Sequence, residues 1–126
     1  MRVVIVEDSE RMRDRIRTVC EDLGGMEVVG EASDAIEATR LIQAEAPEAV
    51  ILDIRIPLGN GFDVMQTIRS TSPATRVIEL TNFPLEPYRE KALSLGAAYF
   101  FDKSTEFEQV PEALLSLAGE HSDGTP

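Results

Sequence analysis

The stretch RVVIVED, residues 2–8, runs four β-branched residues into two carboxylates, Glu7 and Asp8. A continuous apolar run this short reads as a strand buried on both faces, as central parallel strands are. The same grammar recurs outward along the chain. AVIL leads into Asp53, RVIEL into Thr81 and AAYFFD into Lys103. Strand-like runs begin near Arg2, Glu27, Glu48, Arg76 and Ala98. They lie roughly 25 residues apart, the length of one strand-plus-helix unit. The pattern is therefore (βα)5, an α/β fold with a parallel sheet and right-handed crossovers. In such a sheet Glu7, Asp8, Asp53, Thr81 and Lys103 all collect at the carboxyl edge, where open α/β sheets place their chemistry.

The segments between the strands carry helical spacing. Met12, Ile16, Val19, Cys20 and Leu23 recur every three or four residues, and Gly24-Gly25 stops that helix. A second helix starts at Ala35, capped by Asp34 or Ser33, with Pro47 after its end. Phe62, Met65 and Ile68 line a third. Pro84 and Pro87 push the start of the fourth toward Glu86 and leave residues 82–85 extended. Thr105 to Glu108 reads as a capping box for the fifth, and Pro111 predicts either a late start or a kink. One domain over residues 1–118 is expected, with a frayed polar tail over 119–126.

Composition narrows the class. At 126 residues with 43% hydrophobic content the chain can bury a core. Its net charge of −11 makes nucleic acid a poor partner, because phosphates would be repelled. One cysteine, Cys20, precludes an internal disulfide or a multi-thiol zinc site, and its place on an apolar helix face reads as a core thiol. His121 reads as a solvated tail residue. The apolar start is too short for a signal peptide, and no run approaches a membrane span. A cytoplasmic location is the expectation.

Three carboxylates, a hydroxyl and an ammonium at one edge point to a hard divalent cation and a phosphoryl group. Glu7, Asp8 and Asp53 offer the oxygen ligands that magnesium takes, with water filling the remaining positions. Two unit charges about 4 Å apart repel by roughly 4 kcal/mol at an effective dielectric of 20, which a dication or Lys103 relieves. Asp53 can act as a nucleophile and form an acyl phosphate, while the metal, Lys103 and Thr81 neutralise and position the phosphoryl oxygens. Lys103 is expected to pack little at a polar edge, so its loss should cost only around 1 kcal/mol. A flavodoxin-type phosphate carrier is disfavoured, since Glu7-Asp8-Ser9-Glu10 would repel an anion.

On these residues, with Asp53-Ile-Arg-Ile-Pro57, Gly61 and Gly96-Ala97, the chain resembles the receiver domains of bacterial response regulators, the CheY-like family. The resemblance covers residues 1 to about 118. It implies a flavodoxin-like doubly wound sheet in the order 2-1-3-4-5. It also implies a stand-alone two-component or phosphorelay component rather than a metabolic enzyme, one that catalyses its own phosphotransfer and slow autodephosphorylation. Asp53 would accept phosphate from a histidine kinase or histidine phosphotransfer protein. Mg2+ would be held by Asp8, by Glu7 through water, by Asp53 and by the carbonyl of Arg55. Thr81 and Phe100 would form the switch pair acting on an output partner in trans, with a homodimer as one further possibility. The chain departs from the family pattern at Asn82, Ser104, Ile56 and Phe100, where a small residue, proline, methionine and tyrosine are common. A degenerate receiver that binds a partner constitutively is the alternative.

Overall fold

The computed structural model describes residues 1–123, with side chains as far as Glu120. Five parallel strands, β1 (Arg2–Val6), β2 (Glu27–Ala32), β3 (Ala49–Leu52), β4 (Arg76–Thr81) and β5 (Tyr99–Asp102), form one sheet in the order β2-β1-β3-β4-β5. This is the doubly wound order that the resemblance implies. The intervening helices are α1 (Glu10–Leu23), α2 (Ala35–Glu45), α3 (Gly61–Thr71), α4 (Glu86–Ser94) and α5 (Val110–Asp123).

The sheet separates two apolar layers because successive strand side chains alternate between its faces. On one face, Val4, Val6, Val50, Leu52, Val77 and Phe100 pack with α2, α3 and α4. On the other, Val3, Ile5, Ile51, Ile78, Leu80 and Phe101 pack with α1 and α5. Cys20 is fully buried in the second layer, and burial, then the nearby Glu21, push its thiol up to about 11. It is a core thiol rather than a reactive one.

Helix ends follow the local chemistry. Gly24 takes a φ of 70° after Leu23, a backbone state that stops α1 without the strain a side chain would bring. Asp34, not Ser33, caps α2 by accepting a bond from the Glu37 N–H. Helix α4 starts at Glu86 as the two prolines require, without a side-chain cap.

Two expectations at the C-terminus are corrected. Thr105–Glu108 makes no capping box. The segment forms turns and a short 3-10 helix (Phe107–Gln109), and the Glu106 carboxylate accepts from the Asp102 N–H instead. Helix α5 therefore starts late, with Pro111 in its first turn, where its missing N–H costs nothing. The helix also continues past residue 118 to Asp123. Leu114 and Leu117 anchor it in the core, and Glu120 pairs with Arg76 at the end of β4 nearest to it. The His121 side chain and residues 124–126 lie outside the described residues.

Candidate functional site

Backbone pairing delivers the site residues to one edge. The Glu7 N–H bonds to the Ala32 carbonyl at 3.0 Å, Asp53 N–H to Val6 at 3.1 Å and Lys103 N–H to Thr81 at 2.9 Å. Each of these residues is thus the first one past a strand and is tied to the neighbouring strand. The turn after β1 is then pinned by Arg13, whose guanidinium donates to the carbonyls of Glu7 and Asp8 at 2.8 and 3.2 Å. Ser9 caps α1, and its N–H bonds to the Glu7 carboxylate at 3.0 Å.

The loop after β3 is held as firmly. Asn60 and Asp63 form a reciprocal capping box at the start of α3. The Gly61 N–H donates to the Ile54 carbonyl at 2.7 Å, and the Ala35 N–H donates to Pro57 at 3.0 Å. The Arg55 N–H reaches the Asp53 carboxylate at 3.3 Å. These bonds fix Asp53 and the backbone of Arg55 relative to the sheet.

At the centre, the Lys103 ammonium donates to Asp53 at 2.7 Å and to Glu7. All three residues are almost buried, each 7% exposed or less, whereas Asp8 faces solvent. Carboxylate oxygens of Glu7, Asp8 and Asp53 lie within 4.8 Å of one another, close enough to share a metal ion. An all-oxygen donor set with one ligand open to water fits a hard cation that keeps part of its hydration. Burial pushes the Glu7 carboxyl up, opposed by Lys103 and the Ser9 N–H. Burial alone would lower Lys103, but its bonds to Asp53 and Glu7 outweigh that and hold it above its ordinary value. The lysine is therefore a cation in the resting site.

This corrects the expectation that Lys103 packs little. Removing it leaves two nearly buried carboxylates without a countercharge, which is costly. Glu7 can limit the damage by taking up a proton. Lys103→Met should lose about 2 kcal/mol in urea unfolding without metal, and magnesium should narrow the gap by binding the folded state. A loss below about 0.5 kcal/mol, the range of surface substitutions, would show the pair to be solvent-screened.

Thr81 is fully buried at the end of β4, and its hydroxyl accepts from the Phe83 N–H at 3.0 Å. Phe100 is buried, with the Arg89 guanidinium 4.9 Å from its ring centre. Tyr99 and Phe101 stack on the opposite face. Two features were missed in the sequence. Arg55 lies over the Phe83 ring at 4.0 Å and clasps the β3–α3 and β4–α4 loops together. Glu79 is wholly buried within β4. Its only signal was a glutamate inside the apolar run RVIEL. An open cleft of about 560 Å³ beside Asp8 is lined by Arg55, Asn60, Phe62 and Tyr88, among others.

The family model described as the response regulator receiver domain matches residues 3–115. The chain belongs to that family. The receiver is 32% identical, with a TM-score of 0.86, to the signal receiver domain of the putative response regulator NarL from Mycobacterium tuberculosis, covering 94% of this chain and 95% of that one. It is 31% identical over 115 residues to the response regulator UvrY of Escherichia coli O157:H7, covering 91% of this chain and 53% of UvrY. Protein CcdB of Bacillus subtilis is 32% identical over 118 residues, covering 94% of this chain and 98% of CcdB. The receiver thus spans about half the length of UvrY and nearly all of CcdB. Another relative, YhcZ of Bacillus subtilis, bears the name of a transcriptional regulatory protein and is 30% identical over 125 residues, covering 99% of this chain and 58% of YhcZ. The acidity that makes nucleic acid a poor partner belongs to this receiver sequence, not to the further regions of longer relatives such as YhcZ.

Proposed function

We propose that this receiver is a phosphorylation-gated protein–protein switch with Asp53 as its acceptor. The observation that carries the reading is the Lys103 ammonium bonded at once to Asp53 and Glu7, with Asp8 open beside them. Asp53 attacks the phosphorus of a phosphohistidine on a histidine kinase or histidine phosphotransfer protein. A carboxylate O–P bond forms and the histidine N–P bond breaks. Lys103 stays within reach of the carboxylate and follows charge onto the phosphoryl oxygens. Glu7, Asp8, Asp53 and the Arg55 carbonyl would hold Mg2+, which supplies charge neutralisation for those oxygens. Thr81 and Phe100 are the pair that carries the change to the face built by α4, β5 and α5.

Among the described residues no helix is long and apolar enough to cross a membrane, which accords with a receiver working in the cytoplasm. The alternative, a constitutive binding module, is favoured by two observations. Phe100 is already buried, and the Arg55–Phe83 clasp restrains the loop beside Thr81.

Labelling with acetyl phosphate separates the two. Label should appear with magnesium, fall to background in excess EDTA, and be absent in Asp8→Ala, which removes the solvent-facing ligand. Robust labelling in EDTA would rule out the metal-assisted site. Failure to label at all would favour the constitutive module.

A further inference from the structure

Among the described residues, both carboxylate oxygens of Glu79 are buried without a hydrogen-bond partner. Native proteins rarely leave a buried polar side chain in that state, because the cost of desolvation is not returned. Glu79 pairs in register with Leu52 on β3 and with Phe100 on β5. It alternates with Ile78 and Leu80, so it points into the layer that holds Val77, Phe62, Ala92 and Phe100. It also stands two residues before Thr81. Its side chain therefore shares a sheet face with both members of the proposed switch pair, and all three residues are buried.

We propose that Glu79 is a proton-carrying carboxyl that opposes closure of Phe100, so that the switch answers to pH as well as to phosphate. The inference rests on the Thr81–Phe100 reading above. With Phe100 inside, the carboxyl has neither water nor a partner and stays neutral. When Phe100 swings out, water reaches Glu79, the proton leaves to solvent, and a hydrated carboxylate remains. Opening releases one proton, so raising the pH favours the open state. Burial first, and then the charge of Asp53, raise the proton affinity of Glu79, while Lys103 lowers it. Other ionisable groups on this side are Tyr88 and Arg89 on α4, with Arg89 over Phe100, and Lys91 over the Phe62 ring.

The sign is fixed by linkage. The folded, closed state binds the proton more tightly than the unfolded chain, where the group has its ordinary value of 4.5. Stability is thus lost as pH rises from there toward the folded value, by up to about tenfold in the unfolding constant per pH unit.

The test uses the full chain, as wild type, Glu79→Gln and Glu79→Met, each free of magnesium and phosphate analogue. Urea unfolding between pH 5.5 and 7.5 should show wild type losing up to about 100-fold in folding equilibrium relative to Glu79→Gln. Over the same range, carbon-labelled phenylalanine NMR should show the open population of Phe100 rising in wild type only. Glu79→Met should stay closed throughout. Parallel stability profiles for wild type and Glu79→Gln would overturn the proposal, as would a Phe100 signal that ignores pH in wild type. Beryllofluoride with magnesium added to Glu79→Gln isolates the reading beneath it. Movement of Phe100 there upholds the switch whatever Glu79 does. No movement there refutes the switch and the proposal with it.

Discussion

Asp53→Asn should abolish labelling by acetyl phosphate while the protein stays folded. The amide oxygen is too poor a nucleophile to take a phosphoryl group, whereas the carboxylate forms an acyl phosphate. The structure around it should survive. The amide oxygen of the variant can still accept the Arg55 N–H, which now reaches the Asp53 carboxylate at 3.3 Å, and Lys103 keeps Glu7. Removing one of three clustered carboxylates relieves repulsion, while the Lys103–Asp53 pair is lost at the same time. These effects oppose each other, and the unfolding free energy should move by no more than about 1 kcal/mol. Mass mapping after labelling checks the first claim and a urea melt the second. Label retained at the wild-type level would move the acceptor to Glu7 or Asp8. A collapsed melt would mean that Asp53 holds the loop rather than serving chemistry.

The strands and the edge residues could be read from the sequence because a buried parallel strand has few ways to look. VVIV, AVIL and RVI look buried on both faces, and the runs that hold them lead into Glu7, Asp53 and Thr81. Chain order then places Glu7, Asp8, Asp53, Thr81 and Lys103 at one edge without any knowledge of side-chain direction. Contacts that depend on direction were not readable. Lys103 stood as an edge cation, yet its stem reaches back far enough to bury the ammonium between Glu7 and Asp53. Thr105 and Glu108 had the spacing of a capping box, but the Asp102–Ser104 turn uses that backbone differently, with Ser104 donating to Asp102 from both N–H and hydroxyl. Glu79 was hidden by its surroundings. A glutamate in a strand-like run is ordinarily on a solvated face, and only the register beside Phe100 shows that it is not.

Gly61→Ala should be among the most destabilising single-methyl additions in this chain, and it should cost the site its geometry as well. A Cβ built on Gly61 would lie 2.5 Å from the Asp53 carbonyl oxygen and 2.8 Å from the Ile54 Cα. Both are backbone atoms, so no side chain can rotate away to make room. The Gly61 N–H also bonds to the Ile54 carbonyl at 2.7 Å, which locks the start of α3 against the segment that carries Asp53. Relief requires α3 to retreat or the β3–α3 loop to shift, breaking that bond or the Asn60–Asp63 capping box. Overpacking of this kind costs about 3 kcal/mol where the clash is with backbone. A shift of the Asp53 backbone also moves its carboxylate relative to Lys103 and Asp8, and displacements on the order of 1 Å cost catalysis steeply. The variant should therefore show a urea midpoint well below wild type and, under conditions where it is still folded, slower labelling and weaker magnesium binding. Gly96→Ala is the control: nothing lies near its Cβ, and its penalty comes from a φ of 98° alone. It should lose stability but label normally once folded. If Gly61→Ala labelled at the wild-type rate, the close packing of α3 on the β3–α3 loop would be a matter of stability only, without bearing on the chemistry proposed for Asp53.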